Sequence, residues 1–190
     1  MPPHEHSGPG EYTATSLRRV EWSRELEVVR RLLGDYRGWL AEHADSSPRA
    51  QLALVHLEGD ISRLPGVYGP PGGEVVLAFR DSEVVACGAV RGWAPGVGEI
   101  QRIHVRPDHR GPGFGPILTG ALVRRAVELG YERVRVDTLP TMTAAIQFYQ
   151  EMGFRPIPPY REHAVPGALF FEWRAPGPGA GATGDQRREA

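Results

Sequence analysis

The stretch "HRGPGFGP", residues 109–116, lies between the apolar run "IQRIHV" and the helical run "ILTGALVRRAVELG". Three glycines, Gly111, Gly113 and Gly115, alternate where a strand turns into a helix, with Arg110 directly before them. A helix N-terminus offers unpaired N–H groups and a partial positive charge, so a glycine turn leading into one is a natural seat for a phosphate. Arg110 can add a charge-assisted hydrogen bond to the same anion. An ordinary strand-to-helix turn is the alternative reading of the glycines alone. The dinucleotide fingerprint fits weakly, because it needs its third glycine three positions after the second and a ribose-binding acid further on.

Outward from this turn, the pattern reads as alternating strands and helices. "TSLRRVEW" is a candidate first strand, and Leu26, Val29, Leu32, Leu33, Tyr36 and Leu40 recur at helical spacing from Arg24 onward. A second helical pattern, Leu54, Leu57, Ile61 and Leu64, stops at "LPGVYGPPGG", read as a long exposed loop. "EVVLAF" and "EVVACGAV" flank the polar turn "RDSE" as an antiparallel hairpin, and "GEIQRIHV" follows as a third strand ending at Pro107. The helix over about 114–129 buries Phe114, Ile117, Leu118, Ala121, Leu122 and Leu129, with Gly130 as its stop. Then come the strand "RVRVDT", a helix over about 142–152 and a last strand "GALFFEW". This order predicts an α/β chain, a mixed sheet with helices on its faces.

Length and composition bound the rest. With 190 residues and 41% apolar content, the chain reads as one domain over 14–174, with Gly/Pro-rich segments 1–13 and 175–190 expected to be disordered. A formal charge of -1 with mixed signs argues against a nucleic-acid partner. No run approaches the roughly 20 apolar residues of a membrane span, and "MPPHEHSGPGEYT" lacks a signal-peptide layout, so a cytoplasmic protein without a membrane partner is expected. Cys87 is the single cysteine, which rules out an internal disulfide and a cysteine-based zinc cluster, and no metal site is expected. All 22 positive side chains are arginines, so Schiff-base lysine chemistry and the phosphate-loop lysine are absent.

The chain resembles the GNAT superfamily of acetyl-CoA-dependent N-acetyltransferases. That family's signature runs Arg or Gln, two residues, Gly, one residue, then Gly or Ala, and Arg110, Gly113 and Gly115 fill it after the strand and turn "IHVRPDHR". The resemblance continues through "AVELGYERVRVDT" and through "AAIQFYQEMGF", with its Phe-Tyr pair followed by Gly-Phe, and covers roughly residues 75–172. It implies a mostly antiparallel sheet with helices on both faces and a splayed strand pair holding acetyl-CoA, with coenzyme A as product. The pyrophosphate would lie on Arg110, Gly111, Pro112, Gly113, Phe114 and Gly115, and the pantetheine arm along Ile103 and Val105, where "RVRVDT", ending at Thr138, splays away. Pro112 and Pro116 have no N–H, which limits the backbone donors to Gly111, Gly113, Phe114, Gly115 and Ile117. Met142 stands where many relatives of the family carry asparagine.

Acetyl transfer to an amine needs a neutral amine, a donor for the developing oxyanion and a proton for the leaving thiolate. The resemblance puts Tyr149 beside the sulfur as the acid, and backbone N–H near Val105 as the oxyanion donor. Glu99 is the candidate base, against a solvated carboxylate at the start of its strand. His104 alternates to the opposite strand face unless a bulge breaks the parity. Cys87, inside an apolar strand, reads as a small buried residue. Tyr68, Tyr160 and Arg161 are candidate contacts for a small-molecule amine, with surface packing as the alternative. Peptide amines, a non-catalytic acyl-CoA-binding module, a purely structural domain and a homodimer remain open on the sequence.

Overall fold

A computed structural model describes residues 15–43, 47–111, 113–161 and 167–176. Strand β1 (Thr15–Arg19) is followed by helices α1 (Trp22–His43) and α2 (Pro48–Ser62). The meander β2 (Gly73–Arg80), β3 (Glu83–Ala94) and β4 (Val97–Val105) leads through a short 3-10 turn (Pro107–His109) into α3 (Phe114–Glu128). The chain closes with β5 (Arg133–Thr138), α4 (Thr143–Glu151), β6 (Arg155–Ile157) and β7 (Leu169–Arg174). The strands form one sheet in the order β1-β2-β3-β4-β5-β7-β6, antiparallel throughout except for β4 beside β5.

Local chemistry sets the boundaries. The Ser47 side chain accepts from Ala50 N at 3.2 Å and Pro48 opens the first turn, so α2 begins six residues before its apolar pattern is visible. Asp81 and Ser82 both have positive φ, 49° and 71°, in the two-residue turn between Arg80 and Glu83, the backbone that joins tightly twisted hairpin strands. Met142 and Met152 cap α4 and lie outside it. β6 contains Pro156 and is three residues long, too short for an alternation to register.

The sheet divides two apolar cores. On one face α3 packs through Leu118, Leu122 and Ala126 against Val76, Val90, Ile100 and Val134, joined by Tyr149 of α4 and by Phe154. On the other, Val29, Leu32 and Leu33 of α1 meet Val75, Leu77, Cys87 and Ala89.

Two expectations need correction. The segment 64–73 is exposed at Pro65, Gly66, Pro70, Pro71 and Gly72, as expected, but it is not free loop throughout: Leu64 and Tyr68 turn inward and are buried in the second core with α1. Residue 175 does not begin a disordered tail, since Ala175 N donates to Glu132 O at 2.8 Å. The expected disordered segments otherwise lie in 1–14 and 177–190, outside the described residues. Among the described residues no helix is long and apolar enough to cross a membrane, and no cluster of side chains fit to hold a metal occurs.

Candidate active site

The glycine turn forms the N-terminus of α3. Gly113 is its N-cap with φ 129°, a conformation that L side chains rarely adopt. A Cβ added at Gly111 or Gly115 would meet no atom within 4 Å apart from the glycine's own chain neighbours, so the turn is open at both positions among the described residues. Ile117 N donates to Gly113 O at 3.0 Å as the first bond of the helix, which removes it from the expected donors and leaves Gly111, Gly113, Phe114 and Gly115. Pro112 lies outside the described residues. The Arg110 Nε donates to Val105 O at 3.2 Å, and its guanidinium carbon sits 4.9 Å from the centre of the Trp39 ring.

A gap in the sheet adjoins this turn. Strands β4 and β5 pair only from Val97–Glu99 to Arg133–Arg135 and then diverge. A cavity of about 640 Å³ occupies the divergence, walled by Ile103 and Thr138 on the strands, Tyr36 and Trp39 on α1, and Met142 and Tyr149 on the α4 side. Arg106 N donates to Val85 O at 2.9 Å, so by antiparallel alternation the N–H of Val105 points away from β3, toward the divergence.

The strand β4 is bulged. It pairs Glu99 with Arg91, Gln101 with Ala89 and His104 with Cys87: β3 advances by twos while β4 takes an extra residue at Arg102, whose φ is 57°. Directly opposed residues share a face, so Glu99, Gln101 and His104 all face α1 and α2, and the parity expected of a regular pleat is broken. The bulge also turns Arg102 into a network: its Nε donates to Tyr68 Oη at 3.0 Å and its Nη2 to Asp60 Oδ2 at 2.6 Å. Tyr68 Oη in turn donates toward Asp60 and Gln101, each at 3.0 Å. Tyr68, 0% exposed, is therefore behind the cavity wall and not a free loop contact. Burial pushes its hydroxyl pKa up to about 12.

Glu99 is also relocated. It is the third residue of β4, 0% exposed, and accepts from Gln101 Nε2 at 2.7 Å, Tyr160 Oη at 2.8 Å and Arg161 Nε at 2.9 Å. It is not part of the cavity wall, because these donors enclose the carboxylate completely. Tyr160 is held edge-on between Trp93 and Phe170 and likewise lies outside the wall, whereas Arg161 is in it. Tyr149 reaches the wall from α4, its ring packed on Phe154 and Phe171. Burial, then the charge of Asp137, pushes the Tyr149 hydroxyl pKa up, so the phenol keeps its proton.

Three residues that the sequence reading passed over belong to this site. Asp137, the penultimate residue of β5, lies in the cavity wall, and Asp60 and Arg102 meet there from α2 and β4. The only sequence signal for Asp137 is an acid next to the last residue of a valine-alternating strand. Cys87 is buried beneath α1 with its thiol pKa pushed up to about 12, which suits a packed residue and not a nucleophile.

The open space over the glycine turn, the helix N-terminus and the divergent strands together fit a long ligand with a phosphate-rich end and an extended arm. The comparisons agree with that geometry. The acetyltransferase (GNAT) family profile matches residues 26–154, from α1 to the end of the α4 turn. An uncharacterised N-acetyltransferase of Schizosaccharomyces pombe is 30% identical over 159 residues, covering 82% of this chain and 92% of its own length. Among solved structures, the PaiA N-acetyltransferase of Thermoplasma acidophilum in complex with coenzyme A superposes with a TM-score of 0.63, at 14% identity, over 86% of this chain and 100% of its own. YncA of Salmonella typhimurium, solved with its cofactor acetyl-CoA, gives 0.61 at 16% identity, over 88% of this chain and 98% of its own. With a relative matched over nearly its whole length and a family profile spanning both the glycine turn and α4, the chain belongs to the GNAT family of acetyltransferases, with acetyl-CoA as cofactor.

Proposed function

We propose that this N-acetyltransferase moves the acetyl group directly to a primary amine of a small molecule while both are bound. The observation that carries the reading is the cavity between β4 and β5, which is bordered by Tyr149 on one sheet face and by Tyr36, Asp60 and Arg102 on the other. Two ligands can meet end to end in such a gap. The thioester, when bound, supplies an activated acyl carbon and a thiolate leaving group.

The chain's own groups supply position and protons. Gly111, Gly113, Phe114 and Gly115 offer backbone N–H groups to the pyrophosphate, and Arg110 adds its charge. Ile103 and Thr138 border the extended arm, and the Val105 N–H faces the gap as a donor to a carbonyl oxygen. Tyr149 holds a proton that it can give to the departing sulfur. Arg63, Arg91, Arg102 and Arg161 outnumber Asp60 and Asp137 in the wall, which favours an amine that also carries an anionic group such as a carboxylate.

Thiol release from acetyl-CoA across a panel of small amines, with and without a carboxylate, tests this. Turnover with at least one carboxylate-bearing primary amine and intersecting initial-velocity lines are expected. Turnover with peptide amines alone, parallel lines, or acetyl-CoA binding without any turnover would each overturn the reading.

A further inference from the structure

Two carboxylates stand in the cavity wall, and only one is available to an incoming cation. Asp60 is enclosed by Arg102 Nη2 at 2.6 Å, Tyr68 Oη at 3.0 Å and Arg63 Nη2 at 3.1 Å; burial raises its pKa, but Arg102, Tyr68 and Arg91 together outweigh burial and lower it. Glu99 is sealed behind the wall by Gln101, Tyr160 and Arg161. Asp137 differs from both: its side chain is 27% exposed, and its nearest cation, Arg161 Nη2 at 3.4 Å, is shared with Glu99.

We propose that Asp137 is the catalytic base, receiving the acceptor ammonium and taking its proton. The inference rests on reading the cavity as the amine site. Glu99 is then a positioning residue, whose carboxylate orients Arg161 and so limits how far that guanidinium can neutralise Asp137.

The groups facing Asp137 come from every neighbouring element: Tyr36 of α1, Glu99 and Arg102 of β4, Arg161 and Tyr160 of the segment after β6, and Tyr149 of α4. Burial, with Glu99 adding, raises its pKa, while Arg161 and Arg102 pull it down. The net direction is upward, which brings a carboxylate closer to the pKa of the amine it must deprotonate. In the first step an N–H bond of the ammonium breaks, its electron pair stays on nitrogen, and Asp137 becomes the neutral acid. The lone pair forms the C–N bond as the C–S bond breaks. Tyr149 gives its proton to sulfur and takes the second nitrogen proton, and Asp137 returns its own to solvent.

The experiment compares the full chain with Asp137→Asn and Asp137→Glu, using the best amine from the panel. Asp137→Asn is expected to lower kcat/KM by about 10² to 10⁴-fold, to remove the acid limb of the pH profile, and to leave calorimetric acetyl-CoA affinity unchanged. Asp137→Glu should restore part of the rate and the limb. Independently of activity, the Asp137 carboxyl 13C resonance in the wild type should titrate above the ordinary aspartate value of about 4. This arm decides the matter even if a variant fails to fold: titration at or below that value overturns the proposal. So does an Asp137→Asn variant with wild-type rate and pH profile. A wild type that acetylates no amine overturns the functional reading, whereas an active wild type with an indifferent Asp137 overturns this assignment alone.

Discussion

On the proposed mechanism the Tyr149 side chain has two roles that substitution can separate. Its ring lies 5.5 Å from that of Phe154 and 6.1 Å from that of Phe171, contacts that phenylalanine would keep. Its hydroxyl keeps its proton because burial and the negative charge of Asp137 both disfavour the phenolate. Tyr149→Phe is therefore expected to lower kcat by about 10² to 10⁴-fold with nearly unchanged KM for acetyl-CoA and unchanged melting temperature. Single-turnover kinetics check it, and a full rate in the variant would reduce Tyr149 to a packing residue. The family resemblance picks out this tyrosine because "FY" and "GF" stand at a recognisable spacing. Asp137 carries no such mark: an acid near a strand end is solvated in most sequences, and its place in the cavity comes from what surrounds it.

At the scale of the element, the bulged strand β4 and the turn before β2 act together. The bulge at Arg102 sends a guanidinium to Asp60 and Tyr68, and the turn holds Tyr68 in place. A Cβ at Gly73 would stand 2.9 to 3.0 Å from the backbone C, Cα and O of Tyr68, so the turn can lie there only against a glycine. Gly73→Ala is expected to destabilise the protein by about 1–3 kcal/mol through this overpacking. It should also weaken kcat/KM for the amine more than acetyl-CoA binding, because Arg102 and Asp60 line the proposed amine side of the cavity, whereas the glycine turn of α3 is not among the residues that line it. Urea denaturation and calorimetry measure the two effects. The strand itself was legible from "GEIQRIHV", but its extra residue was not. Nothing in a valine- and isoleucine-rich run marks which residue will leave the ladder.

Across the whole molecule, α1 closes over one sheet face and buries His104 against Tyr36, with ring centres 5.5 Å apart. His104 is 3% exposed, and burial, reinforced by the nearby Arg110 charge, lowers its pKa from 6.5 to about 4. A depressed folded-state pKa means that the unfolded chain binds the proton more tightly. The stability held by the neutral ring is thus present above pH 6.5 and is lost as pH falls toward 4. Between pH 7 and pH 5 the wild type should lose about 2 kcal/mol more than His104→Phe, measured by urea denaturation at each pH. Equal losses would show that α1 does not keep the ring dry. The sequence alone determined most of the elements and the glycine turn at the head of α3, because helical spacing, strand alternation and a glycine turn are local properties of the chain, whereas three-residue β6 and the start of α2 left no periodic mark. Tertiary structure alone decided the proposed amine end. The divergence of β5 from β4, the bulge that turns Glu99, Gln101 and His104 to one face, and the donors that seal Glu99 while leaving Asp137 open are pairings between residues far apart in sequence. Their burial exists only once the sheet and α1 have closed around them.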